Sequence, residues 1–586
     1  MKIVKVLFSI SFPIVLSITC PAQSWLWGRQ IQAPGGTLVC AFPVASTSSG
    51  GNNNAYVTGS FLSYLYFSTD TLSGTQENLY VAKYNSAGAL KWAVNAIDSN
   101  NQSSSSNGYT VSSDNNGNVY VSGSFIGTMQ IGRFTLRCTP DLSGGNGDVF
   151  LVKFDSSGNI IWAKQGITPS RFDFSCGLWT TVDNAGNIIL AGVFTDTLSF
   201  GTLTLMNPSN VLNNLFIIKL DPNGNILWGQ QSKYPHPNNG SLSGDGQITT
   251  DNNNNIFLTG AFGDTISFGT YTLSNLGNPN NLNAFLVKYS SSGNVLWAKQ
   301  STDNGTGSVR EYGNGVTTDV SGNSYLTGYF ENSAKFGNYT LTGSNYTLYL
   351  VKYDPNGNIL WAKCSSKNSY WIGTSMASDS HNHIYIGAMS VWSNPDSLIF
   401  GNLTIHCPRP NTGSSSAGLV MMLDTAGNPL CGSILPNINK YPRISADISG
   451  NYIYMGGLFT EDTVFCGPNI LIDANLNNGG MSIFLGRWQS CANTETGINS
   501  ITPQPKNIRV YPNPSTGQVS FQIVGVSYKF SVKIYNVLGE EVYSQYNIPN
   551  STFTVNLFSL PNGVYLYRVL NEEGSPIGEG KVVIQK

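Results

Sequence analysis

The feature that most constrains this chain is that it repeats. Aligned on itself, the sequence shows a unit of about 68 residues with the pattern D-x-x-G-N-x-Y-x-x-G-x-F, then F-G-x-x-T-L, then F-L-V-K-Y-D-x-x-G-N-x-L-W-A-K-Q. That period exceeds the common solenoid units and falls in the range of propeller blades carrying an insertion. The glycine of the first element recurs at Gly59, Gly123, Gly192, Gly260, Gly328 and Gly457, with Ala388 in the sixth copy, at steps of 64, 69, 68, 68, 60 and 69 residues, which makes seven copies. The second element stands at Ile131-Gly132, Phe200-Gly201, Phe268-Gly269, Phe336-Gly337 and Phe400-Gly401, with divergent forms at Phe67 and Phe465. The third carries Trp92, Trp162, Trp228, Trp297 and Trp361, and Cys431 holds the tryptophan position of the sixth copy.

Short runs of alternating apolar and polar residues, joined by D-x-x-G-N turns, predict four strands per copy. A four-stranded sheet cannot bury both faces alone, so the copies stack, in a line or around an axis. The ends decide. The seventh copy has a third-element strand, Ile483 to Trp488, but no Trp-Ala-Lys-Gln strand after it, while an orphan copy of that strand, Trp25 to Gln30, precedes the first repeat. Pairing these segments, with Trp25, Trp27, Phe484 and Trp488 at the junction, would close the ring and remove its exposed edges. The expected fold is all-β: a seven-bladed β-propeller over 24–491, closed by an N-terminal strand.

Charged residues are only 11% of the chain, against about 25% in an average soluble protein. With 30 basic and 32 acidic side chains the net charge is -2, which gives no electrostatic basis for binding nucleic acid or an anionic membrane surface. Residues 1–22 read as a signal peptide: Lys2 and Lys5, an apolar run from Val6 to Ile18, then Cys20-Pro21-Ala22. The run is too short to span a bilayer, and no later segment approaches a transmembrane span. Cleavage after Ala22 leaves eight cysteines bound for an oxidising compartment; their spacing lacks a paired CxxC pattern, and no pairing is assigned.

The segment Gly117-Asn118-Val119-Tyr120-Val121-Ser122-Gly123-Ser124-Phe125 resembles the signature of the bacterial β-propeller repeat family called SBBP. That resemblance implies fold rather than chemistry.

After a polar linker, 492–507, the pattern changes. Residues 508–586 carry Tyr511-Pro512-Asn513-Pro514, Gly517, a strand ending in Tyr535-Asn536 with Gly539 beyond it, then Leu560, Gly563, Tyr565 and finally Lys581. Short alternating strands with Pro or Gly turns predict a small C-terminal β-sandwich. Motif by motif it is similar to the type A C-terminal sorting domain of the type IX secretion system of Bacteroidetes. The resemblance implies export in two steps, contact with the secretion machinery and its sortase, and a propeller released or attached to surface lipopolysaccharide.

Asp114, Asp183, Asp251, Asp319, Asp379 and Asp447 share one register and would form a circle of carboxylates. The same tetrad recurs at Asp155, Asp221, Asp354 and Asp424, so a turn-capping role is favoured over calcium. His381 and His383 occupy a turn, no third ligand is evident, and four histidines offer little for general base chemistry. No catalytic residue, metal or cofactor is expected. Trp179, Tyr370, Trp371 and Trp392 fall outside the repeated register and are the candidate ligand platform, for a glycan or a protein. The expected function is a secreted or surface binding propeller; an extracellular carbohydrate-active enzyme and an adhesive spacer are the alternatives.

Overall fold

A computed structural model describes residues 25–33, 39–47, 53–98, 104–138, 147–168, 175–207, 214–233, 242–275, 281–302, 310–344, 346–367, 370–391, 397–406, 416–438, 440–447, 450–459, 463–466, 469–472, 482–491, 508–523, 530–536, 540–549, 552–570 and 576–586. The expected signal peptide, the linker 492–507, Trp392 and Gly539 lie outside the described residues. The chain divides into two compact units between Asn493 and Thr494.

The first unit is a propeller of seven antiparallel four-stranded blades. Blade 1 comprises Val39–Thr47, Asn54–Tyr66, Thr71–Tyr84 and Leu90–Asn95; blade 2, Ser105–Ser113, Val119–Ile126, Asp148–Phe154 and Ile160–Ile167; blade 3, Ser175–Val182, Ile188–Phe194, Asn214–Leu220 and Ile226–Gln231. Blade 4 comprises Leu242–Thr250, Ile256–Phe262, Asn283–Tyr289 and Val295–Gln300; blade 5, Glu311–Thr318, Ser324–Phe330, Thr347–Tyr353 and Ile359–Cys364; blade 6, Trp371–Ser378, Ile384–Ser390, Ala417–Leu423 and Pro429–Pro436. Blade 7 takes Lys440–Ala446, Tyr452–Phe459 and Ser482–Gln489 from the end of the propeller and its fourth strand, Trp25–Ile31, from the start. Trp25 pairs with Trp488, Gln30 with Phe484 and Ile31 with Ile483, and both tryptophans of the entering strand are buried. The first strands lie side by side around the axis, blade 7 against blade 1 included.

Second and third strands are largely apolar and buried because blades cover both of their faces: Asn214–Leu220 and Thr347–Tyr353 are buried at every position, Lys219 and Lys352 included. Each first strand is kinked by a bulge, as between Gly108 and Thr110 or Gly313 and Gly315. The consensus glycine of the second strand answers it: a Cβ at Gly123 or Gly328 would collide with the carbonyl of Asn107 or Tyr312. The F-G-x-x-T-L element folds into a hairpin between strands two and three, turned at Gly201, Gly269 and Gly337 with φ of 59°, 57° and 55°. Its backbone bonds to the chain leaving the preceding blade, Ser267 with Lys233 and Lys335 with Thr302, and so stitches neighbours together.

The tryptophans are latches. Trp92, Trp162, Trp228 and Trp297 each donate the indole N–H to the next blade's D-x-x-G-N turn, at the carbonyls of Ser156, Pro222, Ser291 and Pro355 (3.3, 3.3, 3.1 and 3.1 Å). Lys83, Lys153, Lys219 and Lys288 reach the same four carbonyls at 2.7, 2.8, 3.1 and 3.1 Å. The turn glycine has two reasons to be glycine. Gly158 and Gly293 sit at φ 90°, and a Cβ there would stand 2.8 Å from the ring of Trp92 or Trp228. Cys431 and Cys491 form a disulfide, whereas Cys138, Cys176, Cys364 and Cys466 are free thiols.

The second unit is a sandwich of a three-stranded sheet (Ile508–Tyr511, Gln518–Ile523, Thr552–Asn556) and a four-stranded sheet (Glu541–Ile548, Phe530–Tyr535, Gly563–Leu570, Pro576–Ile584). Phe521, Val532, Ile534, Val555, Tyr567 and Val582 fill the core between them.

Candidate functional site

The carboxylates at the first-to-second turns are committed to those turns. Asp114 Oδ1 accepts from the backbone N–H of Asn116 and Asn118, and its Oδ2 accepts from Asn118 Nδ2 and the Tyr120 hydroxyl. At Asp183, burial pushes the carboxyl up, but hydrogen bonds from Lys219 and Asn187 hold it on balance below the usual carboxylate range. His383 takes the place of the turn asparagine, its Nδ1 lying 2.8 Å from Asp379 Oδ2. The two histidines thus belong to a turn.

Around the axis, the first strands expose an unpaired backbone edge, and two repeat-breaking side chains satisfy it. Arg443 Nη1 of blade 7 donates to the carbonyls of Thr374 in blade 6 (2.6 Å) and Gly246 in blade 4 (3.3 Å). Gln247 of blade 4 reaches past blade 5 to blade 6: Nε2 donates to Met376 O at 2.8 Å, and Oε1 accepts from the N–H of Val316 and Met376. The Trp179 ring closes on Gly246 from blade 3. Together these groups form a hub that ties blades 3 to 7 across the centre. Sequence reasoning missed Arg443 and Gln247; the signal was their register, where other copies have Thr110, Gly315 and Ser375.

Short turns occupy one face of the ring, and the strand two-to-three and blade-to-blade connections occupy the other. On this loop face blade 5 departs from the repeat. Tyr312 and Tyr329 stack in parallel, centroids 4.6 Å apart, and Tyr346 packs on Tyr329 at 5.5 Å. All three are half-buried. Tyr346 and, in blade 6, Tyr370 hold left-handed backbones at φ 58° and 50°, a conformation bulky side chains rarely adopt unless the surroundings impose it. Two residues past Tyr329, the Glu331 carboxyl is raised by burial against the opposing pull of Arg310. Tyr329 was findable as the residue after the strand-two glycine, where Ser124, Val193 and Ala261 stand in other blades.

Of the aromatic residues singled out from sequence, Trp371 is fully buried in the core of blade 6 and Trp179 is buried at the hub. Neither presents an open ring face, and the structure does not bring the two together. Tyr370 lies half-buried on the loop face. On the turn face, an open cleft of about 590 Å³ between blades 1 and 2 is lined by Lys83, Asn85, Lys91, Trp92 and Ser156. Its best donors, Lys83 Nζ and Trp92 Nε1, already engage the Ser156 carbonyl.

At the loop-face end of blade 2, Asp148 is fully buried, and burial pushes its carboxyl up to about 6 against hydrogen bonds from Thr168. An unfolded aspartate titrates near 3.9, so stability present below about pH 4 is lost as pH rises through 6. Asn214 and Asn283 hold this register in blades 3 and 4. Asp148→Asn is therefore expected to stabilise the chain at pH 7.5 by up to roughly 3 kcal/mol and to change nothing at pH 4. Thermal melts at the two pH values check this.

In the second unit the motif residues divide into builders and surface. Asn513 clips the last strand, donating from Nδ2 to Lys581 O and accepting from Val583 N–H, both at 2.8 Å. Gly517 stands at φ 132°, where a Cβ would strike Phe558. Asn536 caps its turn through Glu540, Leu560 closes a turn onto Leu557, and the Tyr565 hydroxyl donates to Pro561 O. Gly563 pairs with Ile584. Tyr535, Leu566 and Lys581, by contrast, form one row across three strands. Leu566 is 46% exposed, Val564 on the same strand 44%, and Lys581 and Tyr511 are exposed.

Residues 509–585 match the family described as the secretion system C-terminal sorting domain. The chain is similar to an uncharacterized WD repeat-containing protein of Acanthamoeba polyphaga mimivirus, 24% identical over 496 residues, covering 72% of this chain and 34% of that protein. It thus spans about a third of that relative's length. Among solved structures it is similar to a fungal alcohol oxidase in complex with copper, at 13% identity and a TM-score of 0.32, covering 94% of this chain and 100% of that one. It is also similar to PorZ, a surface component of the type IX secretion system of Porphyromonas gingivalis, at 13% identity and a TM-score of 0.20, covering 94% of this chain and 82% of that one. The C-terminal sorting domain directs export by type IX secretion, to the cell surface or the medium. Among the described residues no helix is long and apolar enough to cross a membrane.

Proposed function

We propose that this chain is a non-catalytic recognition propeller of the SBBP type, delivered by its sorting domain and binding a glycan or protein through the loop face. The observation that carries the reading is the tyrosine stack of blade 5. Turn-face positions are taken up by latches and Asp-capped turns, whereas Tyr312, Tyr329 and Tyr346 break the repeat and remain half-exposed, and Tyr346 holds a left-handed backbone. Tyrosine rings present large apolar faces with a polar edge, a chemistry suited to sugar rings and protein surfaces. The sortase and surface lipopolysaccharide are the further partners of this reading, and the row Tyr535, Leu566 and Lys581 is the face the export machinery reads.

A glycan array probed with the purified full chain, alongside a polysaccharide hydrolase screen, tests the reading. Binding without turnover is expected, with Tyr312→Ala/Tyr329→Ala losing the signal while keeping the wild-type melt. Turnover of any bound polysaccharide would replace this reading with the carbohydrate-active enzyme. Binding that survives the double substitution would move the site elsewhere on the ring.

A further inference from the structure

Six junctions between blades are closed in one way: the strand-four tryptophan of one blade packs on the turn glycine of the next. The pairs are Trp27 on Gly88, Trp92 on Gly158, Trp162 on Gly224, Trp228 on Gly293, Trp297 on Gly357 and Trp361 on Gly427. Among the described residues, the junction from blade 6 to blade 7 has no such pair. Its third strand, Ser482–Gln489, has no third-to-fourth turn to offer, because the fourth strand of blade 7 comes from the other end of the propeller.

The register shows what stands there instead. Cys431 pairs with Met422 as Trp361 pairs with Lys352, so it occupies the tryptophan site. On the other side, Ile453 pairs with Trp488 as Ile384 pairs with Leu423. Cys491 lies three residues past Trp488, as Ala426 lies three past Leu423, and so occupies the site beside the missing glycine. The disulfide between them, with 60 residues of sequence separation, spans the gap that an indole and a turn fill elsewhere.

We propose that the Cys431–Cys491 disulfide is the seventh latch of the ring, which locks the strand where the chain leaves the propeller to blade 6 and does so only after oxidation. Formation is thiol–disulfide exchange with an external disulfide. One cysteine thiolate attacks it and expels a thiolate; the other then attacks the mixed disulfide and expels the second. Two electrons and two protons end on the external pair, which leaves as two thiols. In a reducing compartment the seam would rest on its apolar packing and hydrogen bonds, among them Trp25 Nε1 to Ser433 Oγ and Arg443 Nη1 to Thr374 O, and the lock would set once the chain reaches an oxidising one.

Amide hydrogen exchange on the folded full chain, oxidised and then reduced, reads this directly. Reduction is expected to accelerate exchange in Ser482–Gln489 and Trp25–Ile31 by roughly 30-fold or more, and to leave blades 3 and 4 unchanged. Cys431→Ser should show the fast seam without reductant and no further response to it. Acceleration spread evenly over all blades would show a general cross-link rather than a latch, and an unchanged seam would show no lock at all; either result overturns the proposal. Reducing the folded wild type keeps the test valid if the variant fails to fold.

Discussion

A chain lacking residues 25–31 is expected to lose the cooperative thermal transition of the propeller and to aggregate. Trp25, Trp27 and Ile31 are almost wholly buried, and at about 1.5–3 kcal/mol each their burial represents about 5–9 kcal/mol. Net stabilities of folded domains are about 5–15 kcal/mol, so this loss alone is comparable to the whole. The deletion also strips Ser482–Gln489 of its partner and leaves a long apolar strand with an open edge, a template for pairing with another chain. Circular dichroism melts and size-exclusion chromatography report both effects. A synthetic peptide of residues 23–33 added during refolding should restore the transition. A deleted chain that melts sharply within a few degrees of wild type would show that six and three-quarter blades hold without the closing strand.

The second large effect concerns delivery. Removing residues 508–586 is expected to abolish appearance of the propeller at the cell surface and in the medium, with the protein retained inside the outer membrane. Because the sorting domain is a separate compact unit, the truncated propeller should keep its melting temperature, which separates lost export from lost folding. A finer variant tests the exposed row. Leu566→Asp places a charge on a side chain that is 46% exposed, so the sandwich should fold while export fails. Cell fractionation with immunodetection measures both. Normal export of the Leu566→Asp chain would show that the machinery reads another face.

Much of this architecture was legible because repetition makes a departure visible. The orphan Trp25–Gln30 segment and the missing strand after Trp488 together specified closure, since a sheet edge must be satisfied. Capping by the recurrent aspartates was also readable, as a side chain that bonds its own turn needs only local sequence. Trp179 and Trp371 show the limit: breaking the register marks a residue as different without saying whether its ring faces solvent or neighbours. The tyrosine stack was harder, because Tyr329 meets Tyr312 across strands whose bulged register sequence alone does not fix. Cys431 was conspicuous in a tryptophan position, yet its partner could not be named. Cys491 becomes its neighbour only once blade 7 is seen to lack a returning strand.

The composite blade also puts a clock on the nascent chain. Trp25 leaves the ribosome early and must wait for Trp488, its pairing partner. At about 5–20 residues per second that interval is roughly 20–90 s. Throughout it a sticky indole-bearing segment has no home, so the propeller's exposure to aggregation runs through synthesis and transit, and lapses when Trp25–Ile31 meets Ser482–Gln489.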